Sequence, residues 1–151
     1  MKKILLSLFI MFSFVTFSHV VTVNVLEGAE KGEILIRAID DSGNREANEE
    51  IYVLSDLAYD GDLEVFEKAG SEDFHGKLIL FKGMLDNMGE LVLPKPGVKR
   101  YIILIAGGGD HDFVGKGLSL NSEDEQNWEK VLEKHNKTLG KYSEIYKTRK
   151  F

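Results

Sequence analysis

The stretch Tyr101–Ala106, which reads YIILIA, is the most hydrophobic part of the chain after its first eighteen residues. Six consecutive apolar residues, half of them β-branched, are typical of a strand that is buried on both faces. A helix would need a longer apolar pattern with a period near 3.6 residues. We therefore expect this stretch to form a central strand of a β-sheet.

Apolar and polar residues alternate with a period of two on both sides of that stretch. The candidate strands are 20–27, 33–39, 50–56, 77–82, 90–94, 100–106 and 113–120. Turn-forming sequences separate them, such as DDSGN at 40–44 and DNMG at 86–89. The pattern predicts a mainly β domain over residues 19–121, a seven-stranded antiparallel sandwich of Ig-like or transthyretin-like type. Residues 56–76 stay open: they form either an excursion or, around 62–67, an eighth core strand.

The periodicity changes at the C-terminus. From Trp128 to Tyr146, apolar residues recur every three or four positions, which predicts an amphipathic helix over residues 122–151. Ser122 and Glu125 fit a capping box at its start. The helix either packs on the sandwich with Trp128 as its anchor or docks on a partner, a membrane transporter or another envelope protein, or on a membrane surface.

Composition and the first residues restrict the class of protein. The chain has 151 residues, a formal net charge of −6 and no cysteine, which argues against a nucleic-acid binder and excludes disulfides and thiolate metal sites. Lys2 and Lys3 precede an apolar run that ends near Phe17, the layout of a secretory signal peptide over residues 1–18. The alternative is an uncleaved anchor. Cleavage after Ser18 would place the protein in the periplasm or outside the cell, with His19 as its first residue.

One loop carries the residues best suited to chemistry. Three glycines follow the central strand, and Asp110, His111 and Asp112 come directly after them. Carboxylate and imidazole donors suit a divalent transition metal such as nickel, cobalt or copper. A new N-terminal His19 would add an α-amine and a second imidazole. If seven strands alternate in direction, the sixth strand ends at the end of the sandwich where the first strand begins, and His19 and His111 come together. An eighth core strand around 62–67 would place them at opposite ends. The competing interpretation is a glycine-rich loop with a solvated histidine.

Several short motifs together resemble a known family. They are the strand at 32–38 with its DDSGN turn, the strand at 50–53, the turn at 86–91 and the glycine-rich segment that leads into His111. This combination resembles the transthyretin-like, carboxypeptidase-regulatory-like extracytoplasmic domains that accompany nickel and cobalt uptake transporters. The resemblance implies a periplasmic β-sandwich that assists metal transport and is not an enzyme.

Three functions therefore stand as hypotheses. The first is an exported, non-enzymatic binding protein that holds a divalent transition metal through His19, Asp110, His111 and Asp112 or assists its uptake. The second is a structural or protein-interaction module without a metal. The third is a copper enzyme with an N-terminal histidine brace, for which only one loop histidine gives support.

Overall fold

The computed structural model describes residues 20–55, 79–106 and 112–147, and within them seven strands form two sheets. The strands are β1 Thr22–Glu27, β2 Glu33–Ile39, β3 Glu50–Ser55, β4 Ile79–Met84, β5 Glu90–Pro94, β6 Tyr101–Ala106 and β7 Asp112–Lys116. One sheet has the order β1-β2-β5 and the other β4-β3-β6-β7, and every strand pair is antiparallel. The expected mainly β fold with seven antiparallel strands is confirmed. The interval 56–76 and the leader at 1–18 lie outside the described residues.

The main core lies between the two sheets. Inward-facing residues of β2 and β5, such as Ile34, Ile36 and Leu93, belong to the same apolar cluster as Ile51 and Ile103 of the four-stranded sheet. Burial of these aliphatic side chains stabilises the sandwich-like packing.

Strand β6 is buried on both of its faces, as its uninterrupted apolar sequence predicts. Ile103 and Ile105 point into the main core, whereas Ile102 and Leu104 form a second cluster with Leu54. All four of these β6 side chains are at most 2% exposed, so both faces of β6 are shielded from water. Alternate side chains of a strand point to opposite faces of the sheet. A strand with apolar residues at every position therefore suits a place where both faces of the sheet are covered.

Strand β7 ends four residues earlier than the sequence indicates. After Lys116 the chain leaves the ladder and wraps around the ring of Tyr101, whose hydroxyl donates to the Leu118 carbonyl at 2.9 Å and accepts from the Leu118 amide at 3.1 Å. A side chain at Gly117 would collide with that ring. The buried tyrosine therefore ends the strand.

The two sheets approach each other along one side of the sandwich. Strand β1 lies beside β7, and Gly115 comes so close to Val23 that a Cβ atom would stand 2.8 Å from the Val23 carbonyl oxygen. Glycine is required here because of this close backbone approach and not because of its backbone angles.

The C-terminal segment packs on the sandwich, but it is not one continuous helix. It consists of α1 Ser122–Lys134, α2 Asn136–Leu139, a 3₁₀ turn Gly140–Tyr142 and α3 Ser143–Lys147. The break falls at His135, and Gly140 has a positive φ of 51°. Trp128 is buried, as expected of an anchor, and donates from its indole nitrogen to the Lys95 carbonyl at 2.8 Å. None of the helices in the described ranges is long and apolar enough to span a membrane.

The helix begins one residue before the expected cap. Asn121, and not Ser122, is the N-cap: its side chain accepts from the amides of Glu123 and Asp124, and the Asp124 carboxylate accepts from the Asn121 amide. The expected pair of Ser122 and Glu125 is therefore wrong. Long-range contacts of Asp124, described below, fix this register.

The strand order gives the sandwich two distinct ends. We call one of them the loop end: it is where β1 and β3 begin and where β2, β4 and β6 finish. The turns 40–49 and 85–89 also lie at the loop end. At the other, which we call the helix end, the turn 28–32 and the segment 95–98 meet the C-terminal helices.

Candidate functional site

The loop end brings together the strand termini that flank the candidate metal ligands. Ile105 of β6 pairs with Ile51, the second residue of β3, and Thr22 of β1 pairs with Ile39 at the end of β2. The turn 40–49 leads from β2 in one sheet to β3 in the other, and the backbone bond from Asn48 N to Asp86 O joins it to the turn 85–89, which leads from β4 to β5. The last residue of β6 and the first residue of β1 therefore lie at the same end of the molecule.

The predicted ligands themselves are placed only in part. His19, Asp110 and His111 lie outside the described residues, as does His75. Asp112 is the first residue of β7, where its backbone pairs with Ala106. Val20, which follows His19 in the chain, is 58% exposed. Asp112 therefore begins a strand at the loop end, and the two histidines adjoin strand termini of that end.

Glu50, at the start of β3, is a carboxylate of the loop end that the described structure shows in full. It accepts hydrogen bonds from the Tyr52 hydroxyl at 2.6 Å and from the Lys82 ammonium at 2.7 Å. The hydrogen bond from Lys82 lowers the pKa of Glu50, so this carboxylate is ionised. Because its oxygens already have two partners, we do not count Glu50 among the candidate ligands.

Two methionines add soft donor atoms to the loop end. Met84 ends β4 opposite Glu50, and Met88 lies in the turn before β5; they are 58% and 51% exposed. Thioether sulfur is a soft ligand that favours reduced copper. The sequence analysis missed both residues, although their position in and beside the turn DNMG was a signal that they would face solvent.

The helix end is organised differently, around a buried ion pair. Lys95 and Asp124 are both fully buried, and their ammonium and carboxylate lie 2.6 Å apart. The same carboxylate accepts from the amides of Gly32 and Asn121 at 2.9 Å, and Glu27 approaches Lys95 at 2.9 Å. Burial alone would raise the pKa of Asp124, but the hydrogen bonds from Lys95, Asn121 and Gly32 and the charge of Lys95 together outweigh it, so the pKa is lowered.

A second network holds the point where the helix breaks. His135 is 9% exposed, and its Nε2 lies 2.7 Å from a carboxylate oxygen of Glu33, which also accepts from Lys134 at 2.8 Å. Burial would raise the pKa of Glu33, but these hydrogen bonds lower it below its ordinary value. Its burial and its bond to a carboxylate give His135 a structural role at the break between α1 and α2.

Neither of the helix-end networks is arranged for metal chemistry. Each carboxylate accepts hydrogen bonds from ammonium groups or backbone amides. These hydrogen bonds occupy the oxygen lone pairs that a metal would need. Across the ranges 20–55, 79–106 and 112–147, no group of three or more histidine or acidic side chains could hold a metal ion.

Comparison of the chain with protein-family models, with curated proteins and with solved structures finds no match.

Proposed function

We propose that the chain is an exported, non-enzymatic β-sandwich domain of transthyretin-like type that binds a divalent transition metal at its loop end or assists the uptake of such a metal. The ligands would be His19, as the first residue after removal of residues 1–18, together with Asp110, His111 and Asp112. The proposed location is the periplasm or the cell exterior.

The arrangement of the strand ends is the observation that supports this proposal. Strand β6 finishes at the end of the sandwich where β1 begins, so the last residue of β6 and the first residue of β1 lie on the same side of the fold. A strand order in which β6 finished at the opposite end would argue against a shared site, because a six-residue strand is about 20 Å long.

The donor set determines which metals would bind. A free α-amine has an ordinary pKa near 7.7 to 8.0, so a metal can displace its proton at neutral pH. Amine and imidazole nitrogens with carboxylate oxygens suit nickel, cobalt and copper, whereas calcium and magnesium prefer oxygen ligands alone. No redox or hydrolytic step is part of the proposal.

Calorimetric titration of the exported chain with Ni²⁺, Co²⁺ and Cu²⁺ tests the proposal, after intact-mass analysis has established that the chain begins at His19. We expect saturable binding that His111→Ala abolishes. His135→Gln is the matched control, because it removes an imidazole at the helix end and should leave binding unchanged. A chain that retains a methionine before His19 should bind more weakly, since its α-amine is displaced.

The proposal fails if no metal binds more tightly than millimolar, or if His135→Gln weakens binding as much as His111→Ala. The second candidate, an interaction module without a metal, would then remain. It is favoured by the helix end, where the C-terminal helices pack on the sandwich and leave Ile145 42% exposed. Oxidation that depends on dioxygen and copper would instead support a histidine-brace enzyme.

A further inference from the structure

A cleft of about 510 Å³ lies at the helix end, between α1 and α3. Its lining residues are Trp128, Glu129, Leu132, Glu133, Asn136 and Lys147. The volume falls in the range of roughly 300 to 1,000 Å³ that is usual for ligand-binding clefts. Trp128 and Leu132 provide an apolar floor, and polar side chains form the walls.

The acidic wall of this cleft differs from the rest of α1. Glu123 pairs with Lys31 and Asp124 with Lys95, each at 2.6 Å. Glu129 and Glu133 are exposed, lie one helical turn apart, and form no ion pair with any other residue that the structure describes. Like charges at positions i and i+4 of a helix repel each other. A cation placed against both carboxylates would remove that repulsion.

The opposite wall of the cleft carries polar groups of other kinds. Lys147 projects there and pairs with Glu144 at 3.2 Å, and the Asn136 amide can both donate and accept hydrogen bonds. An amide that does both matches a peptide unit, and the apolar floor matches an uncharged side chain beside the cation.

We propose that this cleft docks a short basic segment of a partner protein. An arginine or lysine of the partner would lie against Glu129 and Glu133, and a neighbouring aromatic or aliphatic side chain would cover Trp128 and Leu132. The formal net charge of −6 favours encounter with a basic partner. The inference does not depend on the metal proposal, because the cleft lies at the helix end, whereas Asp112, the candidate ligand on a described strand, begins β7 at the loop end.

Trp128 is the only tryptophan of the chain, so its fluorescence reports directly on the cleft. We would titrate the full chain with an acetylated and amidated Arg-Phe-Lys-Arg peptide. A saturable fluorescence change is expected, and Glu129→Gln combined with Glu133→Gln should weaken binding about tenfold, as two exposed ion pairs would allow. The matched control combines Glu46→Gln with Glu49→Gln, which removes the same charge at the loop end and should leave the affinity unchanged.

Three results would overturn the proposal. The first is the absence of saturable binding, and the second is an equal loss of affinity in both double variants, which would mean that only the net charge matters. The third concerns the chain's own basic residues at 149 and 150. If Arg149→Gln with Lys150→Gln tightened peptide binding about tenfold, the occupant would be the chain's own C-terminal segment and not a partner. Circular dichroism of each variant verifies that the helices are retained.

Discussion

The two ends of the sandwich differ in how deeply their charged side chains are buried. At the helix end, Lys95, Asp124 and Glu33 are buried. Lys95, which follows β5, pairs with Asp124 of α1, and Glu33 of β2 accepts a hydrogen bond from Lys134 of α1, so these ion pairs fix α1 to the three-stranded sheet. At the loop end, Asp40 is buried within its own turn, but the side chains of Arg45, Glu50 and Lys82 are each more than 40% exposed. An ion pair that is buried holds a precise geometry but allows little variation, whereas side chains at exposed strand ends can change without disturbing the core. The difference indicates that the buried pairs of the helix end hold α1 to the sheet, whereas the exposed pairs of the loop end contribute less to the stability of the fold.

The substitution with the largest expected effect on stability is Asp124→Asn. The substitution leaves the buried Lys95 with only the half-exposed Glu27 as a charged partner, and breaking a buried pair in this way costs about 3 kcal/mol of unfolding free energy. Urea unfolding followed by circular dichroism measures the loss.

Glu50→Gln is the control at the loop end. It breaks the pair with Lys82, in which both side chains are more than 40% exposed, and such a pair contributes less than about 1 kcal/mol. Equal losses in the two variants would contradict the distinction between the ends.

A second test concerns how β1 is held beside β7. Gly115→Ala would place a methyl group against the Val23 carbonyl, a backbone atom that cannot move without shifting β1, and we expect a loss of about 2 kcal/mol. Gly43→Ala is the comparison, because Gly43 has a positive φ of 83° but open space around it, and should cost about 1 kcal/mol. Thermal unfolding of both variants measures which substitution lowers stability more. A Gly115→Ala protein as stable as the wild type would show that β1 and β7 are not in contact in solution.

Acid should weaken the buried ion pairs of the helix end. The pKa values of Glu33 and Asp124 are lowered in the folded protein from ordinary values of 4.5 and 3.8. Their contribution to stability is therefore complete above those ordinary values and is lost as the pH falls through the lowered folded values. The urea midpoint should fall between pH 5 and pH 3, and Asp124→Asn should make this fall shallower. An identical pH dependence in that variant would exclude Asp124 as a source of the acid sensitivity.

Much of the fold follows from local pattern, and the exceptions have a common cause. The alternation around Ile34 and the apolar run at Tyr101 predict strands because a strand's faces are set by neighbouring residues. The cap at Asn121 could not be chosen from local sequence, since Ser122 and Glu125 fit the same motif. Asp124 decides it through partners 29 and 92 positions away, namely Lys95 and Gly32.

The burial of Lys95 shows the same limit. Its sequence context, Pro-Lys-Pro-Gly, is typical of a solvent-exposed turn, yet Asp124, Glu27 and the helix enclose it completely. The candidate metal residues depend even more on topology. Local sequence can propose His111 as a ligand, but only the order of the strands relates it to the N-terminus, and the side chains themselves are not among those described.

The last prediction concerns the proposed metal site at the loop end. If the proposed metal site exists, the exposed thioethers of Met84 and Met88 should favour Cu⁺ over Ni²⁺, because sulfur is a soft donor and nickel prefers nitrogen. Replacing both methionines by leucine keeps the apolar surface and removes the sulfur atoms. We expect Cu⁺ affinity, measured by competition with a chromogenic chelator, to fall about tenfold, the lower range for loss of a supporting group. Ni²⁺ affinity in the same variant is the internal control and should not change. Unchanged Cu⁺ binding would leave His19, Asp110, His111 and Asp112 as the whole proposed donor set, whereas a parallel loss of Ni²⁺ binding would mean that the substitutions had disturbed the turn before β5 and not removed a ligand.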